Sequence, residues 1–538
     1  MRRPSCWTGV ATAILSSFYI VAAVNVAPRH CEGNIRHVHL AVGTEPETSM
    51  TVSFATFASK FKAPLAGVLI GTSPHDLKEL FLEQSPPTSY NLKQNKDTWT
   101  NFDGKYYSPH YHHVELFELQ PNTMYFYKPI LKASRGEFEE YNLHTLKQPT
   151  KEEMQKELKE LDSEEDAADE EYVQEGRRLL DPYDGSWRDC PPVNKIRSFR
   201  TAPPAGSFPV SLAIIGDIGQ FPHSEETLAR LLRNRNEMDA VILAGDIAYT
   251  NYDHRRWDTF FDFLDDYPLF EHIPLQICPG NHDIDMNDVA NDIFQAYEHR
   301  FRMPRVKPPQ LELYDGPHGA MNMDAPPYPL PYEWGNAYYS FTYGASKMIM
   351  ISAYSSMEPD SIQYNWIVDE LEAVDRSITP WVIAVIHTPI YNTFSLHQKD
   401  LQIVAARQHL EPLLVEHRVN MVFSGHIHAY MRTTTMSNET FHPHGPMHVT
   451  VGAGGRNCEA PFKNDEPEPW LEVRDATIYG YGMLRIHNAT VAEWDWIHTG
   501  HNEERGYNEL KGSDVRLEAG PGFDQVFLEN QYFAKDEL

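Results

Sequence analysis

Cysteine is scarce in this sequence, with five residues in a chain of 538. Cys6 lies in an N-terminal segment that we expect to be removed, and the others are too few and too scattered for the disulfide framework of a small secreted domain. Cys31 with Cys190 is the weakly favoured pair because both flank the N-terminal region, whereas Cys278 ends an apolar run and is expected to be a buried thiol. Stability must therefore come from apolar cores, for which the 41% of hydrophobic residues suffices.

Positive charge is also scarce. The chain has 46 Lys and Arg residues against 76 Asp and Glu residues, which gives a formal net charge of −30. No stretch combines a basic cluster with interleaved aromatic residues, so we expect no binding of nucleic acid. Part of the acidic excess is local, since residues 150–178 form an acidic run with almost no aromatics. This run is predicted to be a disordered or loosely helical insertion, with an acidic arm for a cation or a partner as the alternative.

Long apolar runs are confined to the N-terminus. No segment after the stretch MRRPSCWTGVATAILSSFYIVAAVNVAP approaches the ~20 apolar residues that a membrane-spanning helix needs. That stretch has two arginines, an apolar region and small residues near Ala23, which is typical of a secretory signal peptide over residues 1–23. A signal anchor is the alternative. With the signal removed, we expect no transmembrane segment in the mature chain.

The opposite terminus and two sequons also indicate the secretory pathway. The tetrapeptide KDEL at Lys535–Leu538 matches the address that the retrieval receptor of the endoplasmic reticulum reads, with a chance charged tail as the alternative. Asn438 and Asn488 begin the glycosylation sequons NET and NAT, which are used only in a secretory lumen. Together these features predict a location in the endoplasmic reticulum lumen or elsewhere in the secretory pathway.

Two kinds of periodicity divide the rest of the chain. Residues 33–201 contain short strands rich in β-branched and aromatic residues, which predicts a small β-sandwich interrupted by the acidic insertion. Residues 208–500, including a C-terminal segment at 445–500, alternate apolar runs with helical stretches, which predicts an α/β domain with largely parallel strands. Residues 501–538 are assigned to a C-terminal tail. The predicted fold class is therefore α/β, with a β-sandwich ahead of the larger domain.

Polar side chains follow the apolar runs of the predicted α/β domain where each run ends. They lie in the motifs GDIG, GDIAY, GNHD, VIHTPIYNTFSLH and GHIH. Because sites in open α/β sheets gather at the carboxyl ends of the strands, we expect these motifs to converge on one edge. The candidate residues are Asp217, Asp246, Tyr249, Asn281, His282, Asp283, His387, His397, His426 and His428.

The spacing of His426 and His428 suggests what the last motif does. Side chains two residues apart point to the same side of an extended chain, about 6–7 Å from each other, so the two imidazoles can hold one ion or two neighbouring ions. Taken singly, each motif has an ordinary explanation. A GD after a strand is often a turn or a helix cap, and a lone strand-end histidine is more often hydrogen-bonded than metal-bound. Five such motifs in this order favour a metal centre.

The motifs resemble those of the calcineurin-like metallophosphoesterases, and specifically the large, plant-type purple acid phosphatases. The family pattern GDxG, GDxxY, GNH with an acidic residue, VxxH and GHxH is matched, except that Ala384 takes the place of the valine. The stretches SFRTAPPAG and YGYGMLRIHNATVAEWDW extend the resemblance to both sides of these motifs. It implies a fibronectin-III-like β-sandwich followed by a calcineurin-like metallophosphoesterase α/β sandwich domain. The acidic insertion and the KDEL terminus depart from the family pattern.

The resemblance also implies two metal ions, a ferric ion and a divalent ion that is Zn²⁺, Mn²⁺ or Fe²⁺. Many relatives carry a histidine two places after the first aspartate, but this position is Gly219, and Tyr249 would supply a phenolate instead. Two carboxylates and a phenolate favour Fe³⁺ over Zn²⁺ at the first site. The implied ligands are Asp217, Asp246, Tyr249 and His428 for Fe³⁺, and Asp246, Asn281, His387 and His426 for the divalent ion, with Asp246 as the bridge.

The implied activity is that of an acid phosphatase, which hydrolyses phosphate monoesters by attack of a metal-bound hydroxide. His282 and His397 match outer-sphere histidines that would contact phosphate oxygens and help to protonate the leaving group. Leu396 stands where many plant-type members have a further histidine, which leaves one acid donor in place of two. The expected partners are a small phosphate-ester substrate and, through KDEL, the retrieval receptor. The alternatives are a phosphodiesterase or nucleotide pyrophosphatase and a catalytically idle lumenal binding protein.

Overall fold

The computed structural model describes most of the two predicted domains. The described residues are 35–56, 65–94, 104–132, 142–144, 195–251, 253–284, 293–304, 332–458, 460–501 and 524–533. The predicted signal peptide, the acidic insertion, Cys31, Cys190 and the KDEL tetrapeptide lie outside these residues.

The N-terminal region is built from short strands that form two facing sheets. The strands are β1 (Ile35–Val42), β2 (Met50–Thr56), β3 (Leu65–Gly71), β4 (Glu79–Leu82), β5 (Asn91–Gln94), β6 (Gly104–Tyr107), β7 (His110–Leu116), β8 (Met124–Lys132), β9 (Asn142–His144) and β10 (Arg197–Arg200). Among the described residues, one sheet has the order β1-β2-β7 and the other the order β10-β8-β3-β4-β9. Strands β5 and β6 pair separately as a hairpin.

Alternating apolar side chains hold these two sheets together. Val52 on β2 and Val114 on β7 are fully buried, and they belong to the same apolar cluster as Val68 on β3 and Phe199 on β10. These residues alternate along their strands, as the period of two predicts. The other face of the first sheet is also covered, since every residue of β2 is buried and Ala55 belongs to the core of the larger domain. The predicted N-terminal β-sandwich is therefore confirmed.

The larger domain contains two further sheets. Their strands are β11 (Val210–Ile215), β12 (Ala240–Leu243), β13 (Leu275–Ile277), β14 (Tyr339–Tyr343), β15 (Ser346–Ile351), β16 (Trp381–Ile386), β17 (Met421–Ser424), β18 (Tyr430–Ser437), β19 (Thr440–Phe441), β20 (Met447–Val451), β21 (Leu471–Asp475), β22 (Ile478–Ile486), β23 (Val491–His501) and β24 (Asp524–Glu529). Within the described part of the chain, the first sheet has the order β13-β12-β11-β22-β23-β24. The second has the order β14-β15-β16-β17-β20-β18-β19, and β21 pairs with β18.

The strands that precede the candidate residues are parallel in both sheets. Strand β12 runs parallel to β11 and β13, and β16 runs parallel to β15 and β17. Apolar side chains from both sheets form one continuous core, and every residue of β16 is buried, as expected for a strand covered on both faces. The predicted α/β domain with largely parallel strands is confirmed. Its two sheets bring the carboxyl ends of five strands to one region.

Helices and short helical turns connect these strands. The helices are α1 (Pro222–Arg233), α2 (Arg255–Asp266), α3 (Gln295–Arg300), α4 (Ile362–Glu372), α5 (Leu401–Ala405) and α6 (Glu411–Glu416), with a π-helical turn at Ala406–Leu410 between the last two. Helix α1 starts with a proline at its first turn, where no backbone N–H is needed. It buries Ser224, Leu228 and Leu231, which share one face at helical spacing. Among the described residues, no helix has the length and apolar character required to cross a bilayer.

The first sheet extends beyond the predicted boundary at residue 500. Strand β24 pairs along its whole length with β23, although residues 501–538 were assigned to a tail. Asp524 at its start is buried and accepts two hydrogen bonds from the Arg432 guanidinium, at 2.7 and 2.8 Å. The sequence DQVFLE has only three apolar residues, because this is an edge strand with one covered face. A tertiary ion pair, which the local sequence pattern does not reveal, therefore anchors the strand.

A buried polar network joins the β-sandwich to the larger domain. The Arg300 guanidinium at the end of α3 donates to the hydroxyls of Tyr90 and Tyr106 in the N-terminal region, at 2.8 and 2.9 Å. It also pairs with Asp258 on α2 at 2.8 Å, and Tyr106 donates to the same carboxylate. Arg300 is 1% exposed and Asp258 is 5% exposed. Because a buried charge is costly without its partner, each member of the network depends on the others.

Arg300→Met should destabilise the protein by about 3–5 kcal/mol, because it leaves Asp258 as a buried carboxylate without its cation. The measurement is the midpoint of urea unfolding of the full chain, followed by tryptophan fluorescence. Arg255→Met is the matched control, since Arg255 pairs with Asp253 on the surface and such pairs contribute about 0–1 kcal/mol. Equal midpoints for the two variants would show that the interdomain network is not important for stability.

Candidate metal centre

His426 and His428 face two different groups of side chains. The chain turns at His426, where φ is +68°, so the two imidazoles do not follow the extended geometry that the sequence suggested. The His428 Nε2 lies 2.9 Å from the Tyr249 hydroxyl, whereas the His426 Nδ1 lies 2.9 Å from the Asn281 Oδ1. The two histidines therefore belong to separate clusters.

The tyrosine cluster consists of Asp217, Tyr249 and His428. The Tyr249 hydroxyl donates to the Asp217 Oδ1 at 2.9 Å, and the His428 Nε2 lies 3.6 Å from the same carboxylate oxygen. Asp217 follows β11, Tyr249 follows β12, and His428 follows β17. Asp217 and Tyr249 are buried, while about a quarter of the His428 side chain remains exposed. The Asp217 Oδ1, the Tyr249 hydroxyl and the His428 Nε2 thus lie close together. Solvent can reach this group of atoms on the side of His428.

The asparagine cluster consists of Asn281, His387 and His426. The Asn281 Oδ1 lies 3.0 Å from the His387 Nε2 and 2.9 Å from the His426 Nδ1. Asp246 lies next to this cluster, with its Oδ1 3.3 Å from the His387 Nε2. These donor atoms come from loops after β12, β13, β16 and β17.

Asp246 lies between the two clusters. Ligand atoms of Asp217, Asp246 and His387 are all within 4.8 Å of one another, which connects the tyrosine cluster to the asparagine cluster. Asp246 is 1% exposed. This is the place that the sequence predicts for a bridging carboxylate. The structure therefore brings all seven predicted metal ligands together.

The backbone at these residues adopts a conformation that side chains normally avoid. Asp217, Asp246, Tyr249 and His426 have φ between +50° and +68°, and so does the candidate catalytic residue His397, at +57°. Non-glycine residues with positive φ are uncommon and cost about 1–3 kcal/mol each, so they persist where the surrounding structure enforces them. Here the strain turns each side chain out of its strand direction and towards the centre.

Two glycines allow the loops to approach one another closely. A Cβ at Gly280 would lie 2.2 Å from the backbone nitrogen of Asp246, and one at Gly425 would lie 2.3 Å from the Asp217 Oδ2. Any larger residue would displace the carboxylates that it touches. The glycines of the GNHD and GHIH motifs are therefore explained by close packing of backbone against ligand.

Asp283 holds two of the loops together. Its Oδ2 accepts hydrogen bonds from the backbone N–H groups of Asp246 and Gly280, at 3.0 and 2.9 Å. Its Oδ1 accepts from the N–H of Ile247 at 2.9 Å. Asp283 is completely buried. The acidic residue of the GNHD motif thus fixes the position of Asp246 and is not one of the candidate ligands.

Hydrogen bonds on the far side of the imidazoles orient them. The His387 Nδ1 donates to the Ala244 carbonyl at 2.7 Å, which leaves its Nε2 for the asparagine cluster. The His426 Nε2 lies 2.9 Å from the Asp400 Oδ2, and the His397 Nδ1 lies 2.8 Å from the same oxygen. Sequence reasoning missed Asp400. It precedes α5 as an aspartate at a helix N-cap, but its side chain makes no capping bond there.

The two candidate catalytic histidines lie at the edge of the centre. The His397 ring is 4.2 Å from the His426 ring, and the His282 ring is 4.5 Å from the Tyr249 ring, measured between centroids. The His282 Nδ1 lies 3.1 Å from the Asn251 Oδ1, and its backbone N–H donates to Asp246. The two histidines therefore flank the centre beside different clusters.

Burial makes the charges of this centre costly. Burial, reinforced by the charge of Asp246, raises the pKa of the Asp217 carboxyl well above its ordinary value. Burial and the two carboxylates likewise raise the pKa of the Tyr249 phenol. Burial lowers the pKa of His426 to about 4 and the pKa of His428 to about 3, so both imidazoles are neutral at ordinary pH. Such a set of donors is stabilised when a cation shares the negative charge.

The chemistry of the two clusters fits two different cations. The tyrosine cluster with Asp246 offers two carboxylates, a phenol and one imidazole, a donor set that suits a hard, highly charged ion. The asparagine cluster with Asp246 offers an amide oxygen, two imidazoles and a carboxylate, which suits a divalent transition ion. Against the effect of burial, Asp246 raises the pKa of His387 to about 9, so a bound cation would take the place of the proton on that imidazole.

The two predicted glycosylation sites lie on the surface. Asn438 lies in the turn between β18 and β19, and Asn488 lies between β22 and β23; both are exposed. Cys278 is a buried thiol, as predicted, and Cys458 is also completely buried.

Comparison with known protein families identifies three consecutive regions. Residues 35–145 match the family model described as purple acid phosphatase, N-terminal domain. Residues 210–430 match calcineurin-like phosphoesterase, and residues 445–505 match iron/zinc purple acid phosphatase-like protein C. All seven candidate ligands lie within the second region.

Curated relatives carry the same description. The chain is 33% identical to probable purple acid phosphatase 20 of Arabidopsis thaliana over 56% of this chain and 64% of that protein. It is 32% identical to purple acid phosphatase 22 of the same plant, over 60% and 66% of the two chains. A third relative there, Fe(3+)-Zn(2+) purple acid phosphatase 12, is 29% identical over 54% and 59%. The chain thus spans just under two thirds of the length of these curated relatives.

Solved structures show the same fold. Purple acid phosphatase PPD1 from yellow lupin (Lupinus luteus) seeds aligns with a TM-score of 0.61 and 18% identity, over 87% of this chain and 72% of that chain. PhoD aligns with a TM-score of 0.50 and 11% identity, over 86% and 88% of the two chains. The likeness confirms the predicted order of a β-sandwich followed by a calcineurin-like α/β domain.

Asp400→Asn should lower the affinity of the asparagine cluster for Zn²⁺ or Mn²⁺ by about 10–100-fold, because a ligand imidazole loses the carboxylate that orients it. The measurement is a chelator-competition titration of the purified full chain. Asp369→Asn, an exposed change on α4, is the matched control and should bind like the wild type. If Asp400→Asn bound the metal ion with the affinity of the wild type, Asp400 would not be needed to orient His426.

Proposed function

The chain belongs to the purple acid phosphatase family of calcineurin-like phosphoesterases, and from this premise we propose that it is a binuclear-metal acid phosphatase that hydrolyses phosphate monoesters. The observation that carries the proposal is the convergence of the tyrosine cluster, Asp246 and the asparagine cluster on one buried pocket. A structural role alone would not explain why five loops place strained, acidic and imidazole side chains against one another.

The tyrosine cluster and Asp246 would hold Fe³⁺, and the asparagine cluster and Asp246 would hold Zn²⁺, Mn²⁺ or Fe²⁺. The name of the relative Fe(3+)-Zn(2+) purple acid phosphatase 12 supports this pair of ions. When bound, two such ions supply positive charge to a phosphoryl group and lower the pKa of a water molecule. Asp246 would keep the two sites adjacent. The backbone N–H of His282 donates to its carboxylate, and Asp283 accepts from its backbone N–H, so both parts of the residue are held in place.

His397 is suited to deliver a proton to the leaving group. Asp400 engages its Nδ1 at 2.8 Å, so Nε2 is the nitrogen left to face a substrate oxygen. About a third of the His397 side chain is exposed, which leaves room for a leaving group beside it. His282, on the opposite side and next to Tyr249, is placed to donate to a phosphate oxygen. The two histidines would thus orient the phosphoryl group from both sides.

Tyr249→Phe provides the test of the ferric assignment. A phenolate bound to Fe³⁺ gives a charge-transfer absorption band, so the wild type should be purple or pink. The variant keeps the buried ring but has no phenol oxygen, so the visible band should vanish while Asp217 and His428 still bind an ion more weakly. The measurement is the visible spectrum of both proteins together with their iron content.

The function itself is tested by assaying the metal-loaded wild type with a phosphate monoester, a phosphate diester and ATP. Preferential hydrolysis of the monoester at acidic pH is expected. A colourless, iron-free wild type with full activity would contradict the role of Tyr249. Hydrolysis of the diester alone, or of none of the three, would contradict the proposed reaction.

We further propose that the protein acts in the lumen of the secretory pathway, with retention in the endoplasmic reticulum through the predicted KDEL address and its receptor. Support comes from the two exposed sequons. At the second, the Asn488 Oδ1 accepts hydrogen bonds from the backbone N–H and hydroxyl of Thr490. Such turns leave the asparagine amide at the surface, where a glycan can be attached.

Asn438→Gln and Asn488→Gln should each remove one glycan from the protein produced in eukaryotic cells. Treatment with endoglycosidase H should abolish the difference in electrophoretic mobility between the wild type and these variants, because glycans of retained proteins stay in the high-mannose form. Identical mobility of the wild type and the double variant before treatment would contradict a lumenal location.

A further inference from the structure

Arg456 lies next to the tyrosine cluster of the metal centre. Its guanidinium carbon is 5.5 Å from the centre of the Tyr249 ring and 4.8 Å from the centre of the Phe221 ring. Its backbone N–H donates to the Asp217 carbonyl at 3.0 Å, which fixes the backbone of Arg456 against the tyrosine cluster. The positive charge is close enough to His428 to add to the effect of burial in lowering the pKa of that imidazole.

The charge of Arg456 is held in place without being neutralised. Two aromatic rings pack against the guanidinium, but among the described residues no carboxylate forms an ion pair with it and no acceptor takes a hydrogen bond from it. Other arginines of this acidic chain behave differently. Arg300 and Arg432, for example, each have an aspartate at 2.7–2.8 Å. An oriented guanidinium with its donors free is a typical anion-binding group.

Arg256 is a second guanidinium in the same area. Its carbonyl accepts a hydrogen bond at 2.9 Å from the side chain of Gln220, which immediately precedes the Phe221 that Arg456 covers. The nearby Asp253 carboxylate is engaged by Arg255 through both oxygens, at 2.8 and 2.6 Å. Burial lowers the pKa of Arg256, and the positive charge of Arg456 adds to this effect. The side chains of Arg256 and Arg456 are therefore close enough for their charges to interact, and Gln220 and Phe221 link the two segments that carry them.

We propose that Arg456 and Arg256 form a subsite for a second phosphate group of the substrate, so that the preferred substrates carry one phosphate at the metal centre and another beside Tyr249. The inference rests on the proposed phosphatase function. A planar guanidinium binds a phosphate through two parallel N–H donors, and a pair of them matches the charge of a phosphate dianion. The second phosphate can belong to a diphosphate chain or to another position of the carbon skeleton.

The experiment compares substrates that differ in one phosphate group. The full-length, metal-loaded chain is assayed with glucose 1,6-bisphosphate against glucose 1-phosphate, and with ADP against AMP. In Arg456→Gln, the ratio of kcat/KM for the bisphosphate to that for the monophosphate should fall by about 10-fold, the effect expected from losing one charged hydrogen-bonding partner. Arg256→Gln should lower the same ratio. A larger fall in this ratio for the glucose phosphates would place the second phosphate on the carbon skeleton, and a larger fall for ADP and AMP would place it in a diphosphate chain.

Binding measurements separate this subsite from the reaction. The ratio of the Kd values for orthophosphate and pyrophosphate, measured by calorimetry, should fall in Arg456→Gln and be largely restored in Arg456→Lys, which keeps the charge. Arg255→Gln, next to Arg256 but paired with Asp253, is the matched control and should leave every ratio unchanged. Unchanged ratios in both Arg456→Gln and Arg256→Gln would overturn the proposed subsite. A wild type that hydrolyses none of the esters would overturn the proposed function, while the binding ratios would still decide the subsite.

Discussion

The architecture depends on holding Asp217 and Asp246 close together in a buried pocket. Two carboxylates removed from water repel each other, and the pair is stable only where donors and cations share the charge. The chain supplies backbone donors, from His426 to Asp217 and from His282 to Asp246. The two proposed metal ions would supply the rest. With these ions bound, folding and metal binding would be coupled, since the side chains that are costly alone would become ligands together.

The scaffold is organised around this requirement. Parallel strands of two packed sheets end at a common edge, and glycines at the loop crossings let the backbones touch the carboxylates. Helix α2 follows the loop that carries Tyr249. The Tyr106 hydroxyl of the N-terminal region donates to Asp258 on this helix and accepts from Arg300, which ties the helix to the β-sandwich. The N-terminal region thus stabilises the part of the larger domain that presents the phenol.

The sequence predicts that the candidate ligands converge, because they follow strands whose carboxyl ends meet at one edge. Asp217, Asp246 and His387 each come at or just after the end of an apolar run, so the fold class alone places them at one edge. Asp400 and Arg456 do not follow an apolar run in this way. An aspartate before a helix is normally explained as a helix cap, and an arginine after glycines is normally explained as a loop residue. Their roles follow from tertiary contacts between distant segments. Strand β24 was missed for the same reason, since an ion pair to another strand anchors it.

The most direct test of the proposed two-metal centre is anomalous diffraction from crystals of the full chain, measured above and below the iron absorption edge. Two metal peaks are expected about 3.5–4 Å apart, the usual separation in two-metal sites. The peak beside Tyr249 should be iron, and the peak beside Asn281 should be a divalent ion. A single peak, or a peak beside Tyr249 without an iron signal, would contradict the proposed centre.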